Sequence, residues 1–216
     1  MTDTSAKYGR AAERWSEEQY ADSVAYLRHR AELIVSLGPH LEPGDRILDL
    51  ACGDAGLANF LRPYDYLGVD ASEEMVRAAQ ARGAHVELAD LNEYEPPEPV
   101  AATTCFRAIY YTRDRRAFFR RVAGYTEKKL VFDLNPRKYR VDEIRADLAA
   151  AGLDHVALRP FFVPQTLALP VPLAALLRAA ERSSPLARAA LRVRFTYLVA
   201  ASRAQVRPVT TASSRA

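Results

Sequence analysis

Three aspartates, Asp49, Asp70 and Asp90, recur 21 and 20 residues apart, each at the end of a short apolar run. The runs are RILDL (46–50), YLGVD (66–70) and HVELAD (85–90). The first leads into Ala51-Cys52-Gly53-Asp54-Ala55-Gly56, where small residues at 51, 53, 55 and 56 allow a sharp turn and close approach of a ligand to the backbone. An acid about 20 residues beyond such a turn is where a ribose diol is typically hydrogen-bonded. Asp90 followed by Leu91 offers an acceptor and an apolar wall to a purine. Together these residues describe an adenosine-type ligand lying across three strand ends.

For three chain-distant acids to share one ligand, the strands carrying them must be parallel neighbours. The pattern agrees. After RILDL comes a helix expected around 55–62, then the strand 66–70 and a helix that Ser72 can cap, with Glu73 and Glu74 in its positive first turn. The strand 85–90, the Pro-rich EPPEPV, a strand near 101–107, a helix near 113–124 and KLVFDL (129–134) follow. A helix at 140–151, a strand near 155–162 and a last strand, RFTYLVA (194–200), complete the alternation. Strands separated by helices imply right-handed crossovers and a doubly wound α/β domain with a mostly parallel sheet. Upstream, Tyr20, Val24, Leu27, Ala31 and Ile34 mark an amphipathic helix over 11–37, ended by Gly38 and Pro39. The expected organisation is a single domain over 1–201, with lid helices in 1–38, a substrate-facing insertion at 163–193 and a flexible tail at 202–216.

The ordered set ILDLACGDAG (47–56), LGVDASEEMV (67–76), VELADL (86–91) and KKLVFDLNPR (128–137) resembles the class I S-adenosylmethionine-dependent methyltransferases. The resemblance is close over residues 40–137 and topological over 155–200. It implies a Rossmann-like sheet of seven strands, the last antiparallel and inserted beside the fifth, with S-adenosyl-L-methionine as cofactor. It further implies that Ala51, Cys52 and Gly53 line the methionine portion, with Asp49 positioning its amino group directly or through water. Asp70 would take the ribose hydroxyls, Ala71 and Met75 would flank the adenine, and Asp90 and Leu91 would hold its amino edge. Phe106 and Arg107 would close over the methionine end and face the substrate, with Trp15 and Tyr20 on a lid. The sequence departs from the usual Gly-x-Gly-x-Gly, reading Ala51-x-Gly53-x-Ala55, with Gly56 one position later. Strand four, AATTCFRAIYY, lacks the acid that often begins it.

On the substrate side, Arg107, Tyr110 and Tyr111 follow strand four and are the residues expected to meet the acceptor. Arg107 or Arg113 suits an acidic group on the substrate, and a solvated surface arginine is the competing reading. Asp133, Asn135 and Arg137 end strand five near the same mouth, where Asn135-Pro136 also reads as turn chemistry. Cys52 reads as a small packing residue, because nothing basic adjoins it in sequence. Among the four histidines, only His29 suggests a base.

Composition narrows the classes. The 216 residues carry two cysteines, no cluster with zinc spacing, and a longest apolar run of 11 residues, Leu167–Leu177, interrupted by two prolines. That is half of the roughly 20 a membrane helix needs. The polar start MTDTSAKYGRAAERW is expected to be no signal peptide, pointing to a cytoplasmic protein. The net charge of +3 is uneven: residues 151–216 hold nine arginines against Asp154 and Glu181, leaving the first 150 residues acidic. This basic third suits an anionic ligand or peripheral membrane contact, although 26 of the 30 basic residues are arginine, a compositional bias. The sequence-level expectation is methyl transfer by proximity and alignment to a small, apolar, lipid-like or polyketide-like acceptor, by a monomer or homodimer with no specific nucleic-acid partner. A catalytically silent cofactor-binding protein, an RNA methyltransferase and a nicotinamide-dependent oxidoreductase stay open as alternatives. The last lacks its preferred G-x-G-x-x-G.

Overall fold

The computed structural model describes residues 19–193 and 196–204. Tyr8, Trp15, the first part of the expected 11–37 helix and most of the expected tail lie outside the described residues. The order is α1 (Ser23–Ser36), β1 (Arg46–Leu50), β2 (Asp65–Asp70), α2 (Glu73–Ala81), β3 (Val86–Leu88), β4 (Val100–Cys105), α3 (Arg115–Tyr125) and β5 (Thr126–Leu134). Then come α4 (Val141–Ala149), β6 (His155–Pro160), α5 (Val171–Ala180), α6 (Ser184–Arg192) and β7 (Tyr197–Ser202). The seven strands form one sheet in the order β3-β2-β1-β4-β5-β7-β6. All pairings from β3 to β5 are parallel, whereas β7 runs antiparallel to both β5 and β6. This is the expected doubly wound Rossmann-like sheet.

Chain order reverses between β1 and β4, which are hydrogen-bonded neighbours. A crevice therefore opens at their carboxyl ends. Strand β4 is buried along its whole length, as a strand covered on both faces must be. On one side Phe118, Phe119 and Val122 of α3 and Ile144 and Leu148 of α4 join the core with Leu130 and Phe132. Tyr26, Leu27 and Ile34 of α1 pack into a second core with Val131 and Leu198.

Local chemistry sets the element ends. Ser72 caps α2 by accepting the Met75 N–H, with Glu73 and Glu74 in the first turn, as the sequence indicates. Asp114 caps α3 through the Arg116 and Ala117 N–H groups, and Asp22 caps α1 through Ala25. The segment expected as a helix around 55–62 is instead a 3-10 turn, Gly56–Phe60. Ala55 enters it in the left-handed conformation, and five residues leave no length for an α-helix. Strand β5 begins three residues earlier than KLVFDL, directly where α3 ends, and β7 is displaced toward the carboxyl terminus relative to 194–200.

Two buried polar contacts fix the layers. Lys129 is fully buried in β5, and its Nζ donates to the carbonyls of Val35 (3.0 Å) and Leu37 (2.8 Å) at the end of α1. Burial lowers its pKa to about 8. His29 Nε2 lies 2.6 Å from Glu181 Oε2, while Glu181 Oε1 accepts the Phe162 N–H at 2.6 Å. This buried pair ties α1 to the segment between β6 and β7. Helix α5 buries none of its residues, and Val171 and Leu176 are among its exposed side chains.

Candidate active site

A cavity of about 950 Å³ occupies the carboxyl edge of the sheet, below α1. Asp49 from β1, Asp70 from β2 and Asp90 after β3 all line it. So do Ala51, Cys52 and Gly53 of the first turn, Ala71 and Met75 of the second, and Leu91 after the third. Phe106, Arg107, Tyr110 and Tyr111 after β4, and Tyr20 before α1, complete the wall. Every expected site residue that lies among the described residues thus meets in one space. Trp15 lies outside the described residues.

The turn after β1 is held by the strand beside it. Asp70 Oδ2 accepts the Gly53 N–H at 2.8 Å, and Oδ1 accepts the Ser72 N–H at 3.0 Å. Burial raises the Asp70 pKa, opposed by these backbone donors. Ala51, Gly53 and Ala55 all have φ between 52° and 61°. Left-handed alanine is disfavoured by roughly 1–2 kcal/mol, so the turn is strained at two positions where glycine is usual. Arg107, at φ 54°, is the third non-glycine residue of this kind among the described residues. Its N–H donates to Asp133 Oδ1 at 2.6 Å, which secures the turn after β4.

Asp49 is buried, with both oxygens engaged: Thr104 Oγ1 donates at 2.5 Å and the Tyr66 hydroxyl at 2.8 Å. Burial pushes its pKa up to about 6 despite these two donors. Neither supporting residue was legible beforehand, since each comes from a neighbouring strand. Cys52 packs against the bare backbone of Gly68: a Cβ there would lie 2.8 Å from its Sγ. Burial raises the thiol pKa well above the ordinary value, so Cys52 is a packing residue on the wall and not a thiolate nucleophile.

Asp90 is only partly buried. Its Oδ1 accepts both the N–H and Nδ2 of Asn92 at 2.8 Å, and Oδ2 accepts Arg113 Nη2 at 2.8 Å. Burial works against its charge, but the Asn92 bonds and the Arg113 and Arg121 cations hold its pKa below the ordinary value. Arg113 also pairs with Glu93. It is therefore committed to the Asp90 side and does not stand free for an acidic substrate group. His29 is committed to Glu181 and does not line the cavity.

Arg30 and Lys138 are wall residues that the sequence did not single out; Arg30 is the buried one. It donates from Nη2 to the Tyr26 hydroxyl at 2.9 Å, and lies 4.3 Å from the Phe106 ring centre. Its Nε has no hydrogen-bond partner, and no carboxylate pairs with it among the described residues. A signal existed: Arg30 interrupts the apolar stripe of α1 three residues after Leu27. A buried cation with an unused donor on a cavity wall fits a ligand that brings its own negative charge.

The Methyltransferase domain family matches residues 47–129, the segment from β1 into β5 that supplies most of this wall. This segment therefore carries the signature of a methyltransferase domain. Solved structures of this fold hold S-adenosylmethionine or S-adenosylhomocysteine. Solved structures resemble the fold of this chain over 81–94% of its length. A putative methyltransferase from Haloferax volcanii, solved in complex with the Trm112 methyltransferase activator, is 18% identical with a TM-score of 0.62, covering 94% of this chain and 98% of that one. Magnesium protoporphyrin IX methyltransferase from Synechocystis, with bound S-adenosylhomocysteine, is 15% identical with a TM-score of 0.61, covering 93% and 98%. A phosphoethanolamine N-methyltransferase from Haemonchus contortus is 17% identical with a TM-score of 0.57, covering 81% of this chain and 52% of that one. No curated protein gave a significant sequence match. Among the described residues, no helix is long and apolar enough to cross a membrane.

Proposed function

We propose that this methyltransferase acts on a small-molecule acceptor, with the cofactor lying across β1, β2 and β3 and the acceptor entering past β4. The observation that carries the reading is the meeting of Gly53, Asp70 and Asp90 along one wall of a cavity whose other wall is Arg30, Phe106, Arg107 and Tyr110. Asp70 is assigned to the ribose hydroxyls and Asp90 with Leu91 to the adenine edge. Met75 and Ala71 flank the ring. Asp49, through its Thr104 and Tyr66 supports, orients a cationic amino group, and Arg30 receives a carboxylate with the donor it leaves unused. These are complementary ends of an amino-acid group, an acid for its ammonium and a cation for its carboxylate.

When bound, S-adenosylmethionine supplies an electrophilic methyl group on a sulfonium whose departure leaves a neutral sulfide. The residues of this chain then have to align the acceptor and exclude water. Buried Phe106 and Tyr20 contribute the apolar surface for that, and Arg107 and Tyr110 face the acceptor side.

Calorimetric titration with S-adenosylhomocysteine, with NAD in parallel, tests this placement. Micromolar binding of the first alone is expected. Binding of NAD, or of neither, would overturn it. Binding without turnover on any small acceptor would favour a silent, cofactor-binding protein.

A further inference from the structure

A second cavity, of about 480 Å³, adjoins the first, and Arg107, Tyr110 and Lys138 line both. Its walls are aromatic: Tyr26, Tyr110, Tyr139, Phe161 and Phe162 surround it. Tyr26 meets Phe161 edge to face at 4.9 Å between ring centres, so this side is a packed aromatic surface. Such rings suit a flat, conjugated body more than a flexible alkyl chain.

The charges at the junction differ from those elsewhere around the site. Arg113 pairs with Asp90 and Glu93, and Arg115 and Arg116 pair with Asp147. By contrast, neither Arg107 nor Lys138 has a carboxylate within ion-pair distance among the described residues. The Arg107 guanidinium reaches Gln19 Oε1 at 3.5 Å, and Lys138 Nζ stands 4.7 Å over the Tyr110 ring. Asp133 lines the second cavity as well, but its Oδ1 takes the backbone N–H of Arg107 and not the guanidinium. Two cations with no acidic partner among the described residues therefore converge where the two cavities meet, with an aromatic chamber behind them.

We infer that the acceptor is an aromatic or comparably flat molecule bearing an anionic group, which Arg107 and Lys138 hold at the junction while its body lies among Tyr26, Tyr139 and Phe161. The inference rests on the proposed cofactor placement, in which Arg30 serves the cofactor's own carboxylate and leaves Arg107 and Lys138 to the acceptor. It narrows the apolar, lipid-like or polyketide-like acceptor expected from the sequence to one with a flat body and a charged end, and gives Arg107 the acidic group that the sequence leaves to Arg107 or Arg113. A carboxylate and a phosphate present the same chemistry to these two cations.

The test uses the full chain saturated with S-adenosylhomocysteine and four probes that share a benzene ring: benzoate, phenyl phosphate, benzamide and benzylamine. Benzoate or phenyl phosphate is expected to bind at least tenfold tighter than benzamide, with benzylamine weakest, the scale of one charge-assisted hydrogen bond. The tighter of the two anions identifies the group as carboxylate or phosphate. Lys138→Met, or Arg107→Gln should the first variant not fold, is expected to reduce that preference to threefold or less while S-adenosylhomocysteine still binds. Equal binding of anions and benzamide, preference for benzylamine, or no binding of any probe would overturn the inference alone. Failure of S-adenosylhomocysteine to bind would overturn the cofactor placement and this inference with it.

Discussion

The carboxylate of Asp70 holds the backbone N–H of Gly53 at 2.8 Å, so the acid that ends β2 also fixes the turn that follows β1. One side chain thereby has two tasks: shaping the backbone a ligand would lie against and presenting oxygens beside it. Asp70→Ala is expected to weaken S-adenosylhomocysteine binding by about 1.5–3 kcal/mol, roughly 10- to 150-fold. Asp70→Asn, which keeps an acceptor for Gly53, should lose less. Calorimetry on the two variants separates the tasks, and unchanged affinity in Asp70→Ala would count against the ribose assignment.

Asp49 makes stability depend on pH in a direction opposite to that of an ordinary salt-bridged carboxylate. Its folded pKa is about 6 against an ordinary 3.8, so between these values the folded state binds more protons than the unfolded state. Stability contributed by this group therefore falls as pH rises from about 4 to 6, by about 3 kcal/mol in full, and stays lost above it. Asp49→Asn should remove that slope and raise Tm at pH 7 relative to the parent while weakening S-adenosylhomocysteine binding. Thermal melts of both proteins from pH 4 to 7 check the sign. An identical pH profile in the variant would contradict it.

The left-handed Ala55 gives the turn a sharp size limit. At φ 52°, ψ 31° and 2% exposed, it has neither conformational nor spatial room for a β-branched side chain. Ala55→Gly should hold stability within about 1 kcal/mol of the parent, since relief of strain and added chain entropy nearly offset one another. Ala55→Val should cost more than about 2 kcal/mol. Denaturant unfolding of the pair decides whether the alanine at this position is a tolerated stand-in for glycine.

Glu181 serves two partners that lie far apart in sequence, His29 and the Phe162 N–H. Glu181→Ala removes the partner of His29 Nε2 and the acceptor of the Phe162 N–H, and is expected to destabilise the fold by about 2–4 kcal/mol. Tryptic cleavage within residues 163–193, at Arg178 or Arg182, should accelerate, while S-adenosylhomocysteine affinity at low temperature should hold. Unaltered cleavage would mean that the pair does not secure this segment.

What was legible in the sequence divides along a physical line. The spacing of Asp49, Asp70 and Asp90 announces parallel strands, because acids at strand ends and the small-residue turn are local signals carried by consecutive residues. Ser72 at the head of α2 is legible for the same reason. The partners that hold those acids are not local. Tyr66 and Thr104 reach Asp49 across adjacent strands, and register alone decides which side chains meet there. Arg30 could have been noticed as a charge on an apolar stripe, but which cavity it lines depends on how α1 lies on the sheet. Lys138 sits in a turn with no pattern around it. The mistaken helix at 55–62 has a different cause: five residues after a left-handed alanine favour a tight turn over a nucleated α-helix.

The wedge position of β7 has a consequence for a chain made from one end to the other. Strand β5, the longest in the sheet at nine residues, pairs with β4 on one side and with β7 on the other. Its second partner spans Tyr197–Ser202, so that edge stays open while more than sixty intervening residues are synthesised. During this interval the nascent protein carries a long strand, apolar at Leu130–Phe132 and Leu134, whose N–H and C=O groups on that edge lack their β7 partners, the kind of edge that recruits other chains or chaperones. The residues bearing the nucleotide-side acids, Asp49, Asp70 and Asp90, have by then already been synthesised. Completion of the sheet is thus gated by β7, which joins β5 to β6 and brings the residues flanking the aromatic chamber together.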